Sequence, residues 1–186
     1  PRIQRQMRAT WDVEGMAWEQ WAPIVARYLG EISLLDAQIG RVLDALDRLG
    51  ITGNTLVVYT ADHGDMCGSH GMVDKHYNMY DDIVRVPMMM RWPGTIAPGT
   101  VVDDFVSNAV DMPPTLCAVA GAAVPETFQG ASVLPALRGE GGNGRQDIFA
   151  PYSGNQFGSY TQRMVRPRRH KYVWNASAQD ELYDLE

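Results

Sequence analysis

Apolar residues at Tyr28, Ile32, Leu35, Ile39, Val42, Leu43 and Leu46 recur in steps of mostly three and four. That period predicts one amphipathic helix from about Trp18 to Leu49, with Glu31, Asp36, Arg41 and Asp47 on its other faces. Gly50 stands where a C-terminal helix cap belongs. A short turn, "TGN", then leads into "TLVVYT", whose β-branched and aromatic residues run apolar on both faces. Such a run predicts a strand buried in a parallel sheet with helices above and below. Helix, turn and buried strand together make half of an α/β repeat.

Further along, the pattern predicts a short helix around "NMYDDIVR" and a second strand, "VPMMMRW", closed by "PG". "DDFVSNA" reads as a short strand. Asp111 is placed to cap the helix "MPPTLCAVAG", whose prolines suit a first turn. "GASVLPALRGE" reads as a turn and a short helix, and the glycine-rich "GEGGNGRQ" as a boundary. Beyond it, "DIFAPY", "QRMVRP", "KYVWNA" and "ELYDL" predict an antiparallel meander. The expected class is therefore α/β: a mixed or parallel sheet with flanking helices over residues 1–140, then a small antiparallel β subdomain over 141–186.

Composition narrows the function. With 186 residues and 45% hydrophobic content, the chain can bury a real core. A formal net charge of −6 argues against a nucleic-acid partner. No apolar run approaches the roughly 20 residues of a membrane span. Cys67 and Cys117 lack zinc-site or CxxC spacing and read as two free thiols. The chain opens on "PRIQRQ" without a signal-peptide pattern and stops at "ELYDLE" in a strand-like pattern, so both ends look cut from something longer, and no cellular location follows.

Candidate chemistry gathers in "TADHGDMCGSHGMVDK", residues 60–75. Ligands in open α/β sheets bind outside the carboxyl ends of strands, and Asp62 and His63 stand at such an end. A carboxylate beside an imidazole can offer oxygen and nitrogen to one divalent cation. Gly64 would let the backbone turn behind them, and Lys75 could return as a mobile charge to an anion held at the metal. Equally, Asp62 could cap a helix and His63 could bond a backbone carbonyl. His70 and His76 alone read as loop histidines, solvated or satisfied locally.

The stretch "VVYTADHGDMCGSHGMVDKHYNMYDDIVRVPMMMRWPG" resembles the second signature region of the sulfatase family, in the alkaline-phosphatase superfamily. The similarity extends upstream through "YLGEISLLDAQIGRVLDALDRLGITGNTLVV" and downstream through "VDMPPTLCAVAG", "QGASVLPALRG" and "HKYVWNASAQDELYDLE". It implies that Asp62 and His63 help bind a catalytic divalent cation, and that Lys75 contacts the sulfate or phosphate group. Many sulfatases carry Asn at the position of His63, whereas "DHG" is common in bacterial members and in phosphonate or phosphodiester hydrolases. Calcium is the preferred cation, with manganese the alternative because imidazole suits transition metals better. His70 matches a frequent loop-shaping "HG"; His70, Asp74 and His76 are candidates to support the ligands from behind.

The resemblance also shows what is missing. These enzymes use a Cys or Ser in a C/S-x-P-x-R context, converted to formylglycine in sulfatases; neither cysteine here fits it. The aspartate pair that completes the metal shell is absent too, since Asp81–Asp82 and Asp103–Asp104 lie in other contexts. The expectation is the C-terminal part of a metal-dependent sulfuric ester hydrolase, inactive without its N-terminal half, with a raw, apolar sheet edge. Expected partners are a sulfate, phosphate or phosphonate ester and that missing half; homo-oligomerisation is left open. Alternatives are a phosphonate monoester or phosphodiester hydrolase, or a non-catalytic domain that binds a metal or a protein. The basic run Arg166, Arg168, Arg169 and Lys171 suits an anionic substrate or, more simply, a solvated strand edge. Tyr172 and Trp174, alternating with polar neighbours, read as packing residues.

Overall fold

The computed structural model describes residues 2–75, 78–154 and 159–186. Helix α1 spans Arg2–Thr10 and α2 Trp18–Arg48, followed by strand β1, Val57–Thr60. Then come α3, Asp81–Val84; β2, Met88–Arg91; α4, Asn108–Ala120; and α5, Leu134–Leu137. Strands β3, Asp147–Gly154; β4, Tyr160–Pro167; β5, His170–Asn175; and β6, Glu181–Asp184 close the chain. The last four form one antiparallel sheet in sequence order, the expected meander. Among the described residues no helix is long and apolar enough to cross a membrane.

Helix α2 runs where its period places it. Gln20 Oε1 accepts the Ala17 N–H at its start, and Gly50, at φ +67°, ends it with its N–H on the Asp47 carbonyl. Its apolar stripe, however, is open: Ile32, Leu35 and Val42 are exposed, and Trp21 is the buried residue of the helix. Strand β1 also differs from its expected surroundings. Its described neighbour is β2, paired antiparallel with Val58 opposite Met90, and its first three residues are half-buried and Thr60 exposed rather than sealed between layers. An apolar run reports a capacity for burial, not the direction of the neighbouring strand.

Three local expectations change. Residues 103–109 form no strand: Asn108 and Ala109 open α4, and the carbonyls of Asp103 and Phe105 are taken by the side chains of Arg168 and Asn143. Helix α4 starts at Asn108, which places Pro113 and Pro114 in its second turn. Pro114 removes the donor for the Val110 carbonyl. Gly130 packs on that oxygen, where a Cβ would stand 1.9 Å away. Asp111 is not the cap residue but lies inside α4, fully buried. Its carboxylate accepts from the Ser107 and Ala131 amides and holds both terminal nitrogens of Arg145, at 2.6 and 2.8 Å.

The core lies beneath the polar loop. Ile3 and Met7 of α1, Met66 and Met72 of the loop, Tyr80 and Ile83 at α3, and Tyr160 of β4 form one cluster. Met79, Met164 and Val173 make a second cluster. The loop's two methionines are at most 2% exposed and each contributes about 1.5–3 kcal/mol of burial. They clamp the segment between them in place. Both cysteines are free and half-buried.

Candidate functional site

Strand β1 delivers Asp62 and His63 just past its carboxyl end. Asn108, the first residue of α4, pins that end by donating from Nδ2 to the Ala61 carbonyl at 2.7 Å. Asp62 Oδ1 accepts the His63 N–H at 3.0 Å, which leaves Oδ2 turned toward the ring. His63 Nδ1 is 2.8 Å from the Gly64 carbonyl. A carbonyl only accepts, so the ring proton sits on Nδ1 and a neutral imidazole keeps its lone pair on Nε2.

That lone pair is 3.3 Å from Asp62 Oδ2. Two acceptors so close repel unless a cation, either a ring proton or a metal ion, lies between them. Adjacent octahedral ligands at about 2.3 Å from a cation are separated by roughly 3.3 Å, so the donor pair fits a divalent ion. Of the two local roles open to the pair, helix capping by Asp62 and carbonyl bonding by His63, the second occurs, through Nδ1, and leaves Nε2 available. Among the described residues no group of three or more His, Cys, Asp or Glu converges to hold a metal. The Asp62 side chain is 85% exposed.

Gly64 is required by proximity rather than by a turn. Its N–H bonds the Ile83 carbonyl at 2.9 Å, and a Cβ would stand 1.8 Å from the Asp82 carbonyl oxygen. Gly64→Ala should therefore push α3 from the loop and cost about 3 kcal/mol. A lowered urea midpoint would show it; an unchanged midpoint would mean that the close approach is easily relaxed.

Lys75 lines the same cleft as Asp62 and His63, a space of about 1020 Å³. Asp74, at φ +65°, holds the Lys75 N–H on its Oδ1 at 2.8 Å and so shapes the turn that presents the lysine. The Lys75 side chain forms no ion pair with any described residue. His70 lies outside the cleft lining: its ring stacks on Tyr80 at 4.2 Å and its carbonyl accepts two bonds from Arg8. His76 lies outside the described residues.

The opposite wall is the inner face of β3 and β4, with Ile148, Ala150, Met164 and Arg166. The basic run on this sheet is not a plain solvated edge. Arg168 pairs with Asp103, and Arg169 with Asp184 and Glu186. Lys171 is buried, 2.8 Å from Asp81. Tyr172 and Trp174, expected to pack, are exposed, because the alternation of β5 turns Lys171, Val173 and Asn175 inward. Sequence reasoning missed Asn108 and the inward side of this basic run. The period-2 signal existed, but the polar set is the buried one.

Residues 4–122 match the family model described as Sulfatase, and residues 68–186 that of the N-sulphoglucosamine sulphohydrolase C-terminal region. A Delta 4,5-hexuronate-2-O-sulfatase of Bacteroides thetaiotaomicron is 35% identical over 175 residues, covering 90% of this chain and 36% of that protein. The solved structure of a 2-O GAG sulfatase superposes with a TM-score of 0.87 at 33% identity, covering 96% of this chain and 39% of that one. A phosphonate monoester hydrolase of Agrobacterium radiobacter gives 0.81 at 32% identity, covering 92% and 36%. The α/β architecture is thus that of the alkaline-phosphatase-like sulfatases, and the chain spans little more than a third of these relatives. By the length matched and by its fold, the chain belongs to the sulfatase family.

Proposed function

We propose that this chain supplies part of the metal shell and an anion-binding lysine to a sulfuric ester hydrolase, and that alone it is inactive. The carrying observation is the His63 Nε2–Asp62 Oδ2 approach of 3.3 Å at the mouth of the cleft that Lys75 also lines. A divalent cation held there would supply Lewis-acid polarisation of the ester oxygens. Asp62 offers Oδ2 and His63 offers Nε2, each oriented by a bond from its other polar atom. Lys75 stabilises charge that grows on the ester as the bond to the leaving group breaks. Calcium is the preferred cation and manganese the alternative. The formylglycine nucleophile and the remaining ligands belong to an N-terminal half, which also covers the open stripe of α2.

Relatives named as sulfatases support the reading, the hexuronate sulfatase pointing to sulfated sugars. The likeness to a phosphonate monoester hydrolase favours a second reading, phosphonate ester cleavage on the same scaffold. Full-length enzyme, stripped with chelator and titrated with calcium or manganese, should hydrolyse 4-nitrophenyl sulfate faster than a phenylphosphonate ester. The isolated chain should hydrolyse neither. Faster phosphonate cleavage would select the second reading. Activity indifferent to chelation, or turnover by the chain alone, would refute the proposal.

A further inference from the structure

On β4 the inward positions are Tyr160, Gln162 and Met164, and alternation adds Arg166 to that face. Register places Arg166 opposite Ile148 of β3. Lys171 is opposite Tyr183 of β6. One step beyond the Val165–Tyr172 pair, the β4–β5 register sets Arg166 opposite Lys171. Two like charges facing one another across strands repel. Here both reach the same carboxylate, with Arg166 Nη2 at 3.1 Å and Lys171 Nζ at 2.8 Å from Asp81.

Two cations on one carboxylate leave one positive charge in excess. Lys171 cannot show it to a ligand, since its side chain is 4% exposed and its ammonium lies 5.2 Å from the Tyr183 ring centroid. Arg166 can, because it lines the cleft. Its Nε is buried and has no acceptor among the described residues. Arg168, by contrast, pairs with Asp103 of the cleft lining, and Arg169, outside that lining, pairs with Asp184.

We propose that Arg166 receives a second anionic group of the substrate, a carboxylate or a further sulfate, in the cleft that carries Asp62, His63 and Lys75. The assignment rests on the sulfuric ester hydrolase reading for the reacting sulfate and extends it to a substrate class, esters bearing two anions. A planar guanidinium suits either group, offering parallel N–H donors to two oxygens. An anion there would neutralise the surplus charge. Lys171 would keep Asp81 paired throughout, so Arg166 is free to serve the ligand without abandoning the fold.

The test is equilibrium binding to full-length enzyme of three probes: monosulfated N-acetylglucosamine, its disulfated counterpart and monosulfated glucuronate. Wild type should prefer a two-anion probe, and which one separates sulfate from carboxylate. Arg166→Met should cut that preference about 10–100-fold, the range of a charge-assisted hydrogen bond. Should the methionine variant fold poorly, Arg166→Lys keeps a charge for Asp81 but removes the fork, and should cut the preference roughly tenfold. No preference in wild type, or equal losses on all three probes, would overturn the assignment. Turnover is read separately: preferential binding without hydrolysis of any probe would sink the sulfatase reading alone, and hydrolysis without preference would sink only Arg166.

Discussion

Lys75→Ala in the full-length enzyme is expected to lower kcat on sulfate esters by about 10²–10³, roughly 2.7–4 kcal/mol, with metal content unchanged. On the proposed reading Asp62→Ala should be comparably inactive for a different reason, because it would remove a metal ligand, and extra cation should restore part of its activity. The distinction comes from where the two side chains sit. Asp62 Oδ2 faces the imidazole at 3.3 Å, whereas Lys75 enters the cleft from the far end of the loop with its amide clamped by Asp74. Cation titrations of both variants, with metal content measured alongside, decide it. Near-normal kcat for Lys75→Ala on every ester tested would reduce the loop to a metal anchor, and cation rescue of Lys75→Ala would assign the lysine to the metal shell.

What the sequence made legible was local. The period of α2 and the glycine that ends it, the meander, and the adjacency of Asp62 and His63 all depend on residues close in the chain. Helix α1 was missed because Ile3 and Met7 are its two buried apolar positions and no acidic residue marks its first turn. Two apolar positions do not make a detectable period, and α1 is held instead by tertiary contacts, including Arg8 on the His70 carbonyl. The expected strand at residues 103–109 failed for a related reason. Its carbonyls are spent on Arg168 and Asn143, from segments more than thirty residues away.

The site divides along the same line. The Asp62–His63 pair could be read because neighbours at a strand end cannot separate. The tautomer that leaves Nε2 free depends on the Gly64 carbonyl and needed coordinates. So did Asn108, whose grip on Ala61 crosses 47 residues. For Arg166 and Lys171 a solvated edge is the simpler of the two sequence readings, because lysine and arginine usually are one. Asp81, 90 residues from Lys171 in sequence, is what lets that lysine turn inward.

Asp111→Ala is expected to destabilise the fold by about 3–5 kcal/mol, the usual result of removing one partner of a buried ion pair. Asp111 is wholly buried, and its loss strands the Arg145 guanidinium and the Ser107 and Ala131 amides together. Burial alone would raise the Asp111 carboxyl, but the Arg145 bonds and the two amide donors outweigh it and hold it below its ordinary value near 3.8. A carboxyl lowered by folding contributes stability that is full above its unfolded pKa and lost as pH falls toward the folded one. Wild type should therefore lose this contribution only below about pH 4. Arg145→Met reverses the balance: burial then prevails, the carboxyl rises, and the loss moves to higher pH. Urea midpoints from pH 3 to pH 8 for wild type and both variants measure this. Parallel acid limbs for wild type and Arg145→Met would show that the amides alone stabilise the carboxylate, and that Arg145 serves only to tie residues 143–145 to α4.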